Sequence, residues 1–447
     1  MPQNSVFIFK GYSFDEGQGE ASFTYEIKHN NESFSFTETV LFPSLVKDPT
    51  IPPELLKTAL QNLLLVLGIS YYKLFCPPEI IIKGFSLTRD QADFWNTVYT
   101  KGLGEFFYQN KLDFRGSITF PFTADQTTSP ITFPRKDRSL VGIGGGKDSI
   151  VSAELLKKHV KSFTSFVVNR HPLRDAVIQL LGGEELTITR TLDSQLFELN
   201  KRENTYNGHI PVSAQYAFLG LFTAILSDYR YVVVSNEHSA NYGNVAYLGD
   251  VVNHQWSKSF EFEKLFQSYV AQFITPSVHY FSLLRPLSEL AITKAFVQYP
   301  AYFPVFSSCN RNFTVTGKGS DRKWCGECAK CSFAFIMLAA FLSQDEVVRL
   351  FGQNLLAKEE LLATYKELLG VAEIKPFDCV GTPEEVQVAF HLAMQKESYK
   401  DAIIMQFFQK EVLPQVPDIV KLTEEVFARS TEHRIPKEFL FSAEDHN

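Results

Sequence analysis

The run Val141-Gly142-Ile143-Gly144-Gly145-Gly146-Lys147-Asp148-Ser149 carries the residue types of a phosphate cradle. Glycines let the backbone come close to a ligand and adopt positive φ angles. A helix starting just beyond them would add free N–H groups and the positive end of its dipole. Ser149 supplies a hydroxyl donor, Lys147 a cation, and Asp148 a carboxylate. Two commoner phosphate loops are excluded by spacing. A Walker A loop needs Ser or Thr after Gly-Lys, where this chain has Asp148, and its first glycine would fall on Val141. A dinucleotide fingerprint from Gly142 would need Gly or Ala at Lys147, and one from Gly144 would need it at Ser149.

A second cluster is Cys325-Gly326-Glu327-Cys328-Ala329-Lys330-Cys331, with Cys309 upstream. Four thiolates would form a closed, structural zinc site. Iron–sulfur ligation uses similar spacings, and redox or unbound thiols are the third reading. Cys76 and Cys379 stand alone and read as core or surface thiols.

The elements that must position these groups fall into three regions: 1–130, 131–344 and 345–447. Val6 to Phe42 alternates in short β-like runs. A helix is expected over Glu54 to Leu67, and another after Thr88-Arg89-Asp90-Gln91 with Thr88 or Asp90 as cap. The Pro- and Thr-rich passage from Phe120 to Pro134 reads as a linker. Beyond it, strands are expected at Leu140 to Ile143, Phe163 to Val168, Glu185 to Ile188 and Tyr231 to Ser235. Helices are expected at Ser149 to His159 and Ala214 to Leu226. That alternation predicts an α/β fold with a parallel sheet, whose ligands sit beyond the carboxyl ends of the strands. Asn169 and Asn236 follow two such ends. The region after Asp345 reads as helical, with runs over Glu359 to Leu369 and Pro383 to Gln395, and as a packing or interface domain without a catalytic motif.

Composition narrows the function classes. The chain has 43 basic and 50 acidic residues and a net charge of -7, which argues against nucleic-acid binding. The apolar segments at Asn62 to Ile69 and Phe333 to Leu342 fall short of the ~20 residues of a membrane span. Met1-Pro2-Gln3-Asn4-Ser5 has no basic stretch leading into an apolar run, and six cysteines are too few for a disulfide scaffold. A cytoplasmic enzyme with no membrane partner is the expectation.

Gly-Gly-x-Asp-Ser after a strand resembles the loop of the N-type ATP pyrophosphatases, which hold the β,γ-pyrophosphate and transfer AMP; Gly144 stands where they usually have Ser. The C-x2-C-x2-C run with an upstream Cys is similar to the zinc site of 7-cyano-7-deazaguanine synthases, with a longer gap before Cys325. Together the Gly-Gly-Gly-Lys-Asp-Ser loop and the Cys-Gly-x-Cys-x-Lys-Cys run resemble the UDP-N-acetylmuramoyl-L-alanyl-L-glutamate epimerases. That resemblance implies a pyrophosphatase-type, adenine-nucleotide alpha-hydrolase-like core between an α+β N-terminal domain and a helical C-terminal region. It implies that Gly144, Gly145, Gly146, Lys147, Asp148 and Ser149 hold ATP, with Asn169 and Asn236 alongside. The implied reaction adenylates UDP-MurNAc-L-Ala-L-Glu with ATP and Mg2+ and converts the terminal L-Glu to D-Glu. In it Asp148 would bind Mg2+ or orient the loop, and for proton transfer the chain offers Glu237, His238 and Lys258, among which the sequence does not choose. Arg170, Arg174, Arg202 and Arg311 are candidates to clamp the substrate's carboxylates or diphosphate. Zn2+ on Cys309, Cys325, Cys328 and Cys331 is implied as a structural ion. Two rivals remain: a ligase passing the acyl-adenylate to ammonia or an amine, and a nucleotide-binding regulator without catalysis.

Overall fold

A computed structural model describes residues 5–42, 50–313 and 322–441. The opening segment Met1-Pro2-Gln3-Asn4 read above lies outside them. The architecture is α/β, organised on a nine-stranded mixed sheet. In chain order the strands are β1 (Ser5–Asp15), β2 (Glu20–His29), β3 (Glu32–Leu41), β4 (Glu79–Ile82), β5 (Ser139–Gly142), β6 (Phe163–Val168), β7 (Glu184–Thr191), β8 (Tyr231–Val234), β9 (Val245–Tyr247), β10 (Asp250–Val252) and β11 (His279–Ser282). The large sheet runs β11-β8-β5-β6-β7-β3-β2-β1-β4, while β9 and β10 form a separate hairpin.

From β11 to β7 every pairing is parallel. The β1-β2-β3 meander is antiparallel and joins this half through β3 and β7, with Thr39, Val40 and Leu41 opposite Thr191, Arg190 and Thr189. The β-rich N-terminal segment thus extends the same sheet across the expected boundary at 130. Arg190 fastens the join: its guanidinium lies 2.5 Å from the buried Glu38 carboxylate and also bonds Gln215 and Ser70.

Both faces of the parallel half are covered. Side chains alternate across a strand, so Leu140, Phe166, Val168, Val232 and Tyr280 enter one core while Val141, Val167, Val233 and Phe281 enter the other. The first core includes the helices Pro53–Tyr72 and Val212–Leu226. The second includes Lys147–Lys158, Glu289–Phe296 and the C-terminal helices.

Pro53–Tyr72 corrects the sequence estimate of apolar length. It is 20 residues long and passes the length and composition test for a membrane span, yet 78% of its apolar window is buried inside the protein. It is a core helix packed on the meander and on Val212–Leu226. The second expected helix begins at Arg89, with Thr88 and Gln91 forming a reciprocal capping box.

Candidate functional site

The glycine run joins β5 to the helix Lys147–Lys158. Gly145 adopts φ +88°, and a Cβ there would lie 3.1 Å from Arg174 Cγ, so both backbone and neighbours favour glycine. Gly146 is the helix N-cap, and no side chain caps the first turn. Ser149 Oγ donates to the Gly146 carbonyl at 3.1 Å. The loop is braced from the far side of the sequence, because Ser307 N–H donates to the Gly145 carbonyl at 3.2 Å.

Strand order places this loop at a reversal. β6 and β7 follow β5 on one side, whereas β8 and β11 lie on the other. The connections therefore diverge between the carboxyl ends of β5 and β8, which opens a crevice. A cavity of about 430 Å³ occupies it. Its lining includes Gly144, Gly146, Asp148 and Ser149 from the loop, and Ser235 and Asn236 after β8. Arg174, Lys258, Lys330 and Cys379 supply most of its remaining chemistry.

Charge around the loop is dense. Lys147 pairs with both Asp148 and Glu289. Burial works against its ammonium, but those carboxylates outweigh burial and hold it above the usual lysine range. Burial also pushes the Asp148 carboxyl up, and Lys147, helped by Lys330 and Lys258, more than reverses that. Glu289 is pushed up to about 7 by burial, with Asp148 and Glu237 adding to it against the pull of Lys147. Glu237 is buried and likewise raised, chiefly by burial, although Lys258 opposes the shift.

Of the three proton-transfer candidates, Lys258 lines the cavity and Glu237 lies within its electrostatic reach. His238 opens a 3-10 turn, its N–H donating to the Leu287 carbonyl, and its side chain is not part of the cavity lining. The Asn169 side chain brackets the backbone of Arg190 on β7, accepting from its N–H at 2.7 Å and donating to its carbonyl at 3.1 Å. Asn236 lines the cavity. Among the arginines, Arg174 reaches the cavity, whereas Arg170, Arg202 and Arg311 pair with Glu185, Glu32 and Glu327 at exposed positions.

Cys309, Cys325, Cys328 and Cys331 converge with all four Sγ atoms within 4.8 Å of one another. Sγ–Sγ separations are 3.6 Å for Cys325–Cys331 and 3.5 Å for Cys328–Cys331. The long gap after Cys309 therefore does not keep it from the group. Cys328 occupies the N-cap position of the helix Ala329–Ala339, whose first turn carries Lys330, and Cys309 N–H donates to Ser307 Oγ at 3.2 Å, so the cluster adjoins both the brace and Lys330.

Three residues that the fold brings to the cavity or beside it have no usable sequence signal. Cys379 is one: it is not an isolated thiol, because Lys258 Nζ lies 3.2 Å from its Sγ and His254 hydrogen-bonds it as well. It comes from the region read as packing only, which also sends Glu385 to bond Ser239 and the Glu289 N–H. Arg285 is the second. Fully buried, it pairs with Glu263 at 2.8 Å and donates to the carbonyls of Glu237 at 2.7 Å and Lys258 at 2.6 Å. Lys330 is the third, and only its place inside the cysteine run could have drawn notice.

Comparisons with known proteins agree along the chain. Residues 1–283 match the MurL N-terminal domain and residues 305–422 the MurL C-terminal domain. A protein of Xanthomonas oryzae pv. oryzae, named UDP-N-acetyl-alpha-D-muramoyl-L-alanyl-L-glutamate epimerase, is 37% identical over 97% of this chain and 96% of its own. Proteins of the same name are 36% identical in a Micromonospora species, over 96% of each chain, and 37% identical in Salinispora tropica, over 90% of this chain and 87% of that one. A match sustained from the meander through the glycine loop to the C-terminal helices places this chain in the MurL family of UDP-N-acetyl-alpha-D-muramoyl-L-alanyl-L-glutamate epimerases.

Proposed function

We propose that the chain epimerises the terminal L-Glu of UDP-MurNAc-L-Ala-L-Glu to D-Glu, activating its carboxylate with ATP and releasing AMP and pyrophosphate, in the cytoplasmic synthesis of peptidoglycan precursor. The observation that carries the ATP half of this reading is the uncapped glycine loop opening into a cavity at the sheet's reversal point. The family relationship carries the substrate.

Two epimers differ little in free energy, so ATP acts on the barrier rather than on the equilibrium. Removing an α-proton beside a carboxylate would place a second negative charge on the same few atoms. Adenylation cancels the first charge and leaves an electron-withdrawing anhydride, which acidifies the α-carbon. In this reading the N–H groups of Gly145 and Gly146 and the Ser149 hydroxyl hold pyrophosphate, as in other pyrophosphatase-type loops. Lys147, Lys330 and Arg174 offset its charge. Asp148, kept ionised, would be the residue to hold Mg2+, which when bound would supply positive charge to offset that of the triphosphate. Water then releases AMP from the epimerised product.

The thiol cluster suits zinc. A tetrahedral Zn–S site with bonds of about 2.3 Å has sulfur atoms about 3.8 Å apart, close to the 3.5 and 3.6 Å separations here. A closed four-thiolate site supplies rigidity, and its residues would hold the loop brace and Lys330 in place.

The test is to incubate purified protein with Mg-ATP and UDP-MurNAc-L-Ala-L-Glu, measure pyrophosphate, hydrolyse the product and determine the configuration of its glutamate. Substrate-dependent pyrophosphate with new D-Glu is expected. Pyrophosphate without D-Glu would transfer the assignment to an adenylating ligase, and D-Glu without pyrophosphate would remove the activation step.

A further inference from the structure

Cys379 ends a relay assembled from three distant parts of the chain. Its Sγ faces Lys258 Nζ at 3.2 Å and is hydrogen-bonded by His254. His254 Nδ1 in turn lies 2.5 Å from Glu105 Oε2, and both side chains are nearly buried, at 13% and 12% exposure. The His209 ring lies beside His254, tilted by 43°, with centroids 4.3 Å apart. A thiol, an imidazole and a carboxylate in sequence, with the carboxylate orienting the ring, is the arrangement that activates a sulfur for bond-making. This one opens into the same cavity as Asp148, Ser149 and Lys330.

We infer that Cys379 is a proton-transfer residue of the epimerisation, acting directly on the α-carbon of the activated glutamate, with His254 and Glu105 as positioning residues. The inference rests on the activation reading given above. In the step, the thiolate lone pair forms an S–H bond as the Cα–H bond breaks, and the freed electron pair delocalises into the adjacent activated carbonyl. A second donor on the opposite wall, or water, then protonates the other face, and Cys379 returns its proton to solvent. No oxidant or cofactor enters this balance.

The surroundings favour the thiolate at rest. Burial raises the thiol, but Lys258 first, then His254 and Lys330, carry it well below the usual cysteine range. Burial opposes the His254 cation, and its bonds to Cys379 and Glu105 push it up to about 9. His209, by contrast, is pushed down to about 3 by burial and by the His254 and Lys258 charges, so it stays neutral. Glu237 and Asp148 hold Lys258 charged from its other neighbours, and Asp378 and Lys375 also stand near the sulfur.

The experiment uses the full chain with UDP-MurNAc-L-Ala-L-Glu and Mg-ATP in D2O, comparing wild type, Cys379→Ala and Cys379→Ser. Pyrophosphate, D-Glu and deuterium at the glutamate α-carbon are read together. Loss of a general base reduces rate by about 100-fold or more; that loss is expected in D-Glu and deuterium incorporation, with pyrophosphate release falling far less. If either variant forms D-Glu within fivefold of wild type, the assignment is overturned. Equal losses of pyrophosphate and D-Glu also overturn it, making Cys379 part of nucleotide binding. Wild type that exchanges deuterium without releasing pyrophosphate would defeat the activation reading, and the variant-to-wild-type exchange ratio would still decide Cys379. Independently of folding in the variants, wild-type Cys379 should be alkylated by iodoacetamide at pH 6.5 at a rate close to that at pH 8, located by peptide mass. A rate that climbs tenfold over that interval, as for an ordinary thiol, would overturn the thiolate relay. Glu105→Gln should restore such a climb.

Discussion

Arg285→Met is the sharpest test of how the site is held together. Arg285 is fully buried and its partner Glu263 is 1% exposed. Removing the guanidinium leaves Glu263 as an unpaired buried carboxylate, and removing one member of a buried pair costs about 3–5 kcal/mol. It also strips hydrogen bonds from the carbonyls of Glu237 and Lys258, so both loops bearing candidate site residues lose their common anchor. In urea unfolding at pH 7.5 the variant should lose about 3–5 kcal/mol, a large share of a typical folded stability of about 5–15 kcal/mol. The double variant Arg285→Met/Glu263→Gln should recover at least part of that loss, because the neutral amide leaves no buried charge. The sign of the pH dependence follows from Glu263. Burial already raises its folded-state carboxyl against the pull of Arg285, and loss of the arginine raises it further. A carboxyl whose folded value exceeds its unfolded one stabilises less as pH climbs through that interval. The deficit of Arg285→Met should therefore shrink towards pH 5 and widen towards pH 8. A single-variant cost below 1 kcal/mol, or a double variant as unstable as the sum of both singles, would refute the reasoning.

Gly145→Ala forces a side chain into φ +88° and against Arg174; about 1–3 kcal/mol of backbone strain is expected, read as a lower urea midpoint together with loss of stabilisation by Mg-ATP. Ser149→Ala removes a hydroxyl from the cavity wall and its bond to the Gly146 carbonyl; substrate-dependent pyrophosphate release should fall at least about tenfold, the effect of roughly 1.4 kcal/mol at the transition state, while stability in urea falls by no more than about 0.5–1.5 kcal/mol. Cys309→Ser breaks the four-thiol group; elemental analysis should find less than one zinc per chain where wild type holds one, and chelator should no longer lower the midpoint further.

The alternation of strands and helices from Leu140 to Val234 was legible because each element carries its own apolar period and the glycines mark the turn between β5 and its helix. Loop, capping box and cysteine run are all local, set by residues within a few positions of one another. β11, His-Tyr-Phe-Ser, is as short as β5 and β8 but lacks their run of apolar aliphatic residues, so it did not stand out.

What the sequence by itself determined was thus a glycine-rich loop between strand and helix, a local run of cysteines, and a resemblance to one family of epimerases. Tertiary structure alone decided that the N-terminal meander extends the parallel half of the sheet, because pairing of β3 with β7 depends on edges that meet only in the fold. It also decided the chemistry of individual side chains. Cys379 lies 121 residues from Lys258, and His254 lies 149 from Glu105. The properties of a thiol or carboxyl follow from burial and from the charges within a few ångströms, and separation along the chain says nothing about either.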